Sequence, residues 1–256
     1  MTHPFTSGGF VWTGFDYRGE PSPYKWPCVN SHFGILDTCG FPKDLYYYYK
    51  AWWTDEPVLH LAPHWTWPGR EGQSILVRCF GNSDEVELFL NDTSLGKKPM
   101  PFCGYLDWKV AYAPGVLSAC GTAKGRRVAT ARVETVGPPA RIRLLPDRGS
   151  INADGADLSI VTVEVVDAMN RVVPVADNAI RFSVEGGKIL GVGNGDPSSH
   201  EADKAGERRV FNGLAQVIVQ STRRAGPIVL RAAAQGLESA EVKIRARQAQ
   251  PPPSVP

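Results

Sequence analysis

The chain begins with a stretch that is dense in aromatic, glycine, proline and charged residues, a composition typical of a functional site rather than of ordinary core. Trp12 and Asp16 lie in the stretch GGFVWTGFDYRGEPSPYKWP, and Asn30 and His32 follow the proline-rich loop that ends it. An indole face packs against the apolar side of a ligand, while polar neighbours form hydrogen bonds with its polar groups. The composition of this stretch therefore predicts a binding site rather than ordinary core.

The sequence also leaves a structural interpretation open for these residues. Trp12 could be an ordinary core tryptophan, and Asp16 a structural hydrogen-bonding group or an exposed loop charge. A lone histidine such as His32 is more often structural than functional. Glu20 and Asp37 are two carboxylates of the kind that act as an acid and base pair, but nothing in their spacing requires them to meet. We interpret these two as loop charges.

The elements that must position these residues begin with one helix. GGFVWTGF predicts a short strand after a glycine pair, and GFPKDLYYYYKAWWTDEP predicts the helix. Leu45, Tyr48, Tyr49 and Trp52 follow the i, i+3, i+4, i+7 spacing of one apolar face, and the other side is aromatic too. A helix that is apolar nearly all round is normally covered on several sides. Residues 1–56 provide too little material to cover it.

The rest of the chain changes to the pattern of β-sandwiches. Residues 57–137 contain short runs of period-two alternation separated by turns such as GNS, NDTSLG and APG. In EVELFLND, for example, Val86, Leu88 and Leu90 would face one way. Residues 138–246 repeat this pattern after the boundary VGPPA. Regular short strands with such turns predict two antiparallel sandwich domains.

The overall composition argues against several classes of function. With 28 basic and 26 acidic residues the net charge is +2, without the basic stripe of a dedicated nucleic-acid binder. No apolar run reaches about 18 residues, so no membrane span is expected. The first residues, MTHPFTSGG, lack the basic and apolar regions of a signal peptide, and the compartment stays undecided. Residues 247–256 are rich in proline and predict a disordered or extended tail.

The five cysteines form no CxxC pair, which argues against a zinc site. Cys79 and Cys120 could link two strands by a disulfide, but buried free thiols that act as small hydrophobic groups are favoured. NADGAD lacks the spacing and distal glutamate of a calcium loop. GVGNGDP is not followed by a helix and so predicts a turn rather than a phosphate loop. We therefore expect no metal and no cofactor.

Three long segments carry a resemblance to a known family. GGFVW with GILDTCGFPKDLYYYYKAWW resembles the end of the catalytic barrel in glycoside hydrolase family 2, most closely its β-galactosidases. VLHLAPHWTWPGREGQSILVRCFGNSDEVELFLNDTSLGKK and RIRLLPDRGSINADGADLSIV resemble two domains that follow the barrel. The resemblance covers residues 8 to about 245. It implies a mainly β fold, with two immunoglobulin-like sandwiches after a terminal βα unit of a truncated (β/α)8 barrel.

The resemblance also implies which reaction the whole protein catalyses, and that the catalytic residues are absent from this chain. Family 2 enzymes are retaining glycosidases with two glutamates, and that mechanism places the two carboxyls roughly 5 to 5.5 Å apart. In the family pattern both glutamates lie upstream of the GGFVW strand, so the resemblance implies that this chain holds no catalytic residue. One βα unit cannot build a barrel site on its own, which agrees. We expect the chain to be inactive alone and the whole protein to hydrolyse terminal β-galactosides with retention.

The resemblance assigns candidate roles to the same four residues. Trp12 resembles the tryptophan that lines the galactose pocket, and Asp16 lies four residues further on, where a polar role at the pocket rim is an alternative to a structural one. Asn30 and His32 stand near positions where related glycosidases contact a sugar carboxylate or a metal. His32 replaces the lysine of the Asn-x-Lys pattern of β-glucuronidases, which counts against a uronic acid substrate.

Two other functions and the partners complete the set of hypotheses. A carbohydrate-binding module would need an exposed aromatic row, for which Trp65, Trp67 and Trp108 are candidates. For HWTWPGREG, which contains the first two, we favour packing between domains. A purely structural pair of sandwiches ranks above a binding role, because nothing in their sequence demands a ligand. The implied partners are a β-galactoside or another carbohydrate and the missing N-terminal barrel and domains, and exposed aromatic residues would favour self-association into a homo-oligomer.

Overall fold

The computed structural model describes His3 and residues 5–249, which form a helix followed by sixteen strands. The helix, α1, spans Asp44–Trp53. The first seven strands are β1 Leu59–Ala62, β2 Ser74–Gly81, β3 Glu85–Leu90, β4 Thr93–Pro99, β5 Leu106–Ala111, β6 Val116–Ala123 and β7 Arg126–Glu134. The other nine are β8 Arg141–Pro146, β9 Ser150–Asn152, β10 Leu158–Val166, β11 Ala179–Glu185, β12 Gly187–Gly193, β13 Glu207–Arg209, β14 Leu214–Ser221, β15 Gly226–Ala233 and β16 Ala240–Arg247.

The first seven strands form the first sandwich. One sheet has the order β1-β2-β5 and the other β4-β3-β6-β7, with every pair antiparallel. Val77 of the first sheet and Leu88 and Leu117 of the second are completely buried between them. In β3, Val86 and Leu88 are buried and Leu90 packs against the same core, which confirms the predicted alternation.

The other nine strands form the second sandwich. Its sheets have the orders β12-β14-β10-β8 and β13-β11-β15-β16-β9. All pairs are antiparallel except the parallel pairing of β9 with β16. Val163 and Val217 of one sheet face Ile180 and Leu230 of the other in a closed aliphatic core. The predicted mainly β fold with two sandwiches is thus confirmed.

The residues before α1 are held by loops and isolated bridges. We call residues 5–43 the N-terminal segment. Among the described residues, its only β-pairings outside strands are single bridges that join Phe15 to Leu36, Arg18 to Asn30 and Leu36 to Pro42. The strand predicted for GGFVWTGF is not formed as a regular strand, because only its end is paired. The Thr13 and Gly14 carbonyls accept the backbone N–H groups of Ile35 and Leu36, whereas residues 8–12 have no backbone partner among the described residues.

The predicted helix is confirmed as α1 and packs on the first sandwich. Tyr47 stacks on His60 with ring centroids 3.8 Å apart, and the Nε2 atom of His60 lies 2.9 Å from Asp44 Oδ1. Only Ala51 of the helix is buried, and the side chain of Trp53 is 65 % exposed. The described chain thus leaves much of this aromatic helix uncovered, as its composition predicts.

The N-terminal segment also contacts the second sandwich, in this case through polar groups. Arg18 Nη2 donates two hydrogen bonds to the carboxylate of Asp203, at 2.7 and 2.8 Å. The Pro197 carbonyl accepts the backbone N–H groups of Val29 and Asn30. Three further contacts are Thr38 Oγ1 to the Asn194 carbonyl, Gln216 Nε2 to the Cys39 carbonyl, and the Trp26 ring against His200 at 4.3 Å. These contacts fix the segment on the sheet that contains β12 and β14.

A buried ion pair holds the junction between the two sandwiches. Asp167 accepts hydrogen bonds from the guanidinium of Arg171 at 2.6 and 2.9 Å, and from the backbone N–H of Gly137 at 2.9 Å. Arg171 also reaches Glu134 at 3.4 Å, at the end of β7. One carboxylate therefore binds both the second sandwich and the connection that leads into it.

Cys79 and Cys120 do not form a disulfide. Cys79 is completely buried in the core, whereas Cys120 lies in the opposite sheet between the inward-facing Ala119 and Gly121. Its side chain is thus on the outer face, and the structure holds both cysteines as free thiols, as favoured from the sequence.

Within the described residues no helix has the length and apolar character needed to cross a membrane. The proline-rich tail predicted at 247–256 lies outside the described residues from position 250 onward.

Candidate functional site

Trp12 presents an open indole near the start of the N-terminal segment. Its side chain is 71 % exposed, and the peptide bond that joins it to Thr13 is cis. Its Nε1 donates a hydrogen bond of 3.2 Å to the hydroxyl of Tyr17, which in turn donates to the carboxylate of Glu20. The hydrogen bond to Glu20 raises the pKa of Tyr17 above its ordinary value. Trp12 is therefore not a core residue of this chain, and its ring face is free to stack on a ligand.

Asp16 has a structural environment. Its side chain is almost fully buried, and the ammonium of Lys43 lies 2.9 and 3.0 Å from its two oxygens. It also accepts the backbone N–H of Gly34 at 2.8 Å. A Cβ at Gly34 would lie 2.1 Å from the Asp16 nitrogen, so only glycine fits there. Of the two interpretations that the sequence leaves open, the contacts in this chain favour a structural hydrogen-bonding group.

Asn30 and His32 belong to the same loop but point to different surroundings. Asn30 is buried, its N–H bonds to the Pro197 carbonyl, and its Oδ1 has no partner among the described residues. The Nε2 atom of His32 lies 3.1 Å from the sulfur of Cys28, and its ring packs on Tyr24 at 4.2 Å. Between them, Ser31 is completely buried and its Oγ accepts the Tyr17 N–H.

The predicted site residues do not all line the same cleft. A cleft of about 440 Å³ is lined by Asp16 and His32, together with Pro197 and Phe211 of the second sandwich. Asn30 instead lines a cleft of about 260 Å³ with Arg208 and other residues of that sandwich. Trp12 lines neither cleft. The structure thus brings Asp16 and His32 together, whereas Trp12 and Asn30 lie apart from them.

The two candidate carboxylates of the loop do not form a pair. Glu20 accepts the hydrogen bond from Tyr17, whereas Asp37 accepts the backbone N–H groups of Cys39 and Phe41 at 2.8 and 2.9 Å. Burial raises the pKa of Asp37 above its ordinary value. Each carboxylate supports its own turn, in agreement with their interpretation as loop charges.

The proposed row of sugar-binding tryptophans does not exist on the first sandwich. Trp65 is 1 % and Trp108 5 % exposed, and both belong to the hydrophobic core. The Nε1 of Trp65 donates to the Ala113 carbonyl at 3.0 Å. Trp67 is partly buried and stacks on His64 at 4.5 Å. The prediction was wrong for Trp65 and Trp108 because their rings point inward, where burial of a large aromatic surface stabilises the sandwich.

The described part of the chain, His3 and residues 5–249, contains no cluster of metal-binding side chains. In that part of the chain no group of three or more His, Cys, Asp or Glu side chains is placed to hold an ion. Of the four predicted site residues, Trp12 offers an exposed ring face, Asp16 and His32 line one cleft, and Asn30 lines another.

Two family models match the chain, one in each sandwich. Glycoside hydrolase family 2 C-terminal domain 5 matches residues 142–243, in the second sandwich. A domain of unknown function, DUF4982, matches residues 72–129, in the first.

Proteins of known sequence extend the similarity beyond the sandwiches. The β-galactosidase BoGH2A of Bacteroides ovatus is 47 % identical over 247 residues, which are 95 % of this chain and 29 % of that protein. A putative β-glucuronidase of Formosa agariphila is 37 % identical over 201 residues, which are 76 % of this chain and 19 % of that protein. The chain thus spans less than a third of the length of these relatives.

Solved structures agree with the sequence matches. A glycosyl hydrolase family 2 member from Bacteroides cellulosilyticus superposes with a TM-score of 0.88 at 33 % identity, over 93 % of this chain and 36 % of that one. A β-glycosidase from Bacteroides vulgatus gives a TM-score of 0.85 at 36 % identity, over 91 % of this chain and 30 % of that one. The chain therefore belongs to glycoside hydrolase family 2 and corresponds to a C-terminal portion of its members.

Proposed function

We propose that this chain is the C-terminal part of a retaining β-galactosidase, to which it supplies one wall of the sugar pocket and neither catalytic glutamate. The main support for this proposal is the position and exposure of Trp12. It occupies the position that resembles the galactose-lining tryptophan of the family, and its exposed indole is held at one edge by Tyr17. An aromatic face that is fixed in orientation and open to solvent is suited to the apolar side of a sugar ring.

The sandwiches have a positioning role in this proposal. The second sandwich holds the N-terminal segment through Arg18, Asp203 and Pro197, and the first holds α1 through His60. Few of these contacts are aliphatic, so they orient the segment rather than bury it in a common core. Such support is what a substrate-binding loop needs, since small displacements of binding groups cost catalytic efficiency.

The galactoside is favoured over a glucuronide by the charge of the loop. His32 stands where the β-glucuronidase pattern has lysine, and its Nε2 faces Cys28. The nearby ammonium of Lys43 already neutralises Asp16. A uronic acid carboxylate would find no lysine at position 32, whereas a neutral galactose does not require one.

Inactivity of the chain alone follows from the retaining mechanism. That mechanism needs two carboxyls facing each other across the scissile bond. Glu20 and Asp37 each support a local turn and make no contact with one another. We therefore assign the acid and the nucleophile to other segments of the protein.

Two assays test this proposal. The purified 256-residue chain should not hydrolyse 4-nitrophenyl β-galactoside or 4-nitrophenyl β-glucuronide above the blank. In a longer protein that includes the barrel, Trp12→Ala should lower kcat/KM for the galactoside by about tenfold or more, and Trp12→Phe should retain part of the activity. Phe102→Ala is a matched control, since Phe102 is also exposed but lies in the first sandwich.

Opposite results have distinct meanings. Turnover by the purified 256-residue chain would contradict the assignment of the catalytic residues to other segments. A preference of the longer protein for the glucuronide would overturn the substrate class. An unchanged kcat/KM in Trp12→Ala would remove Trp12 from the pocket.

A further inference from the structure

Arginines of the second sandwich fall into two groups. Most are neutralised, as Arg231 is by Glu185 at 2.6 Å and Glu241 at 2.8 Å. A smaller group has no ion pair and no side-chain hydrogen bond within residues 5–249. Its members lie at one end of the domain, on β16 and on the turn between β14 and β15: Arg223, Arg224, Arg245 and Arg247.

Three of the cations at this end form a row on one face of β16. Lys243, Arg245 and Arg247 are exposed, and they alternate with the buried Ile244 and Ala246. Alternate residues of a strand lie about 6.6 to 6.8 Å apart, so the row places like charges at a regular short spacing. The nearest carboxylate to Lys243 is Glu241, at 3.8 Å. Arg245 and Arg247 have no such partner among the described residues, so the repulsion between the like charges of the row is only partly offset.

A groove runs beside this row. Its volume is about 860 Å³, and it is lined by the three cations together with Gly149, Ala225, Gly226 and Pro227. Pro227 is paired with Arg245 and Gly226 with Ala246 across β15 and β16. Small residues form the floor, so an extended chain could lie flat on it within reach of the cationic side chains. We call this surface the basic groove.

The basic groove is separate from the candidate sugar pocket. It lies on the sheet β13-β11-β15-β16-β9, whereas the N-terminal segment contacts residues of β14 and of the loop after β12 in the other sheet. A role for the groove therefore does not depend on the proposed function of Trp12.

We propose that the basic groove binds a polysaccharide that carries carboxylate groups. The planar guanidinium matches a carboxylate with two parallel hydrogen bonds, and a linear row of cations matches a linear polymer with repeated acidic groups. Single-stranded nucleic acid binds to platforms of aromatic rings, and none of the described lining residues is aromatic. The chain belongs to a family of carbohydrate-active enzymes, which makes a polysaccharide the polymer of matching chemistry.

Binding to immobilised polygalacturonate tests this proposal. The wild-type chain should bind at low salt and lose affinity as the salt rises from about 0.05 to about 0.5 M, because exposed charges are screened. A triple variant with Lys243→Gln, Arg245→Gln and Arg247→Gln should bind about tenfold more weakly or not at all. These residues are exposed, so its thermal unfolding should be unchanged, which separates lost binding from misfolding.

The first sandwich offers a matched control of equal charge. Lys124, Arg126 and Arg127 are exposed on the hairpin between β6 and β7 and line none of the clefts described above, so the triple change to Gln there should leave binding intact. Equal loss in this control would overturn the proposal, because binding would then follow net charge alone. Absence of wild-type binding at low salt, or tighter binding to single-stranded DNA than to polygalacturonate, would overturn it too. Binding of a neutral galactan with equal affinity would exclude the carboxylate as the recognised group.

Discussion

The two sandwiches and the N-terminal segment differ in the kind of side chain that dominates their buried residues. In the sandwiches most of the buried side chains are apolar, as those of Val163 and Leu230 are. In the N-terminal segment the buried residues include Asp16 and Ser31, while the large aromatic Trp12 is exposed. An aliphatic core can be closed by any well-packed neighbours, but a polar group needs a partner at a defined position. The sandwiches therefore stabilise themselves, whereas the segment depends on groups supplied by other parts of the molecule.

The largest expected effect contrasts two tryptophans. Trp65→Ala should destabilise the first sandwich by about 3 to 5 kcal/mol, because it leaves a cavity and an unpaired Ala113 carbonyl. Trp53→Ala, on the exposed side of α1, should change the free energy of unfolding by about 0.5 kcal/mol or less. Urea unfolding of both variants measures the difference. Equal effects would mean that α1 shares the core of the first sandwich.

The next effect is the pH dependence of the stability that Asp167 contributes at the junction of the sandwiches. Burial opposes ionisation of Asp167, but hydrogen bonds from the Arg171 guanidinium and from backbone N–H groups outweigh it and hold its pKa well below the ordinary value. A carboxylate with a lowered folded-state pKa stabilises the fold above its unfolded-state pKa of about 3.9 and loses this contribution as the pH falls below that value.

Asp167→Asn tests this linkage. The variant should lose about 1 to 3 kcal/mol of stability at pH 7, and the difference from wild type should shrink below about pH 4. Urea unfolding at a series of pH values measures it. Asp177→Asn is the control, since the Asp177 side chain is 90 % exposed and lies 3.7 Å from Arg209. If the difference in the free energy of unfolding between the variant and the wild type does not change as the pH falls below about 4, Asp167 contributes through its shape rather than through its charge.

A smaller and more local effect is expected in the N-terminal segment. Asp16→Asn weakens the bonds to Lys43 and Gly34, which should cost about 1 to 3 kcal/mol locally while the sandwiches stay intact. Amide hydrogen exchange should therefore accelerate about tenfold or more at Gly34 and remain unchanged in β10. Faster exchange in both places would contradict the independence of the two regions.

The smallest expected effect is a difference in reactivity between two cysteines, Cys79 and Cys103. Burial raises the pKa of the Cys79 thiol to about 12, so it should resist iodoacetamide at pH 8 in the folded chain. Cys103 is exposed and should react. Mass spectrometry of the alkylated peptides measures both, with urea-unfolded protein as the control in which every cysteine reacts. Modification of Cys79 at the rate of Cys103 would indicate that the first sandwich opens readily.

Local pattern accounts for the parts of the fold that the sequence predicted. Alternation in β3 follows from side chains that point to opposite faces of a strand, so Val86 and Leu88 could be placed in the core directly. The helix α1 followed from its spacing of apolar residues in the same way. Both depend only on neighbours within a few positions of one another.

Contacts between distant segments account for what the sequence did not predict. Trp65 lies outside the strands and carries no local signal that distinguishes an inward from an outward ring, so only the closed sandwich decides it. Trp108 did carry a signal, since it alternates with Leu106 and Val110 on the inward face of β5. The partners of the loop, such as Pro197 and Asp203, are separated from it by most of the chain. Asp16 was identified as a candidate, but its ion pair with Lys43 depends on a fold of the loop that no periodicity describes.

The contact between Arg18 and Asp203 has a consequence for synthesis of the chain. The two residues are 185 positions apart. A ribosome adds about 5 to 20 residues per second, so Arg18 waits roughly 10 to 40 s before its partner exists. During that interval Arg18 and Trp26 emerge without Asp203 and His200, the residues of the second sandwich that they later contact. Newly made chains should therefore recruit chaperones through this segment until the second sandwich has been translated.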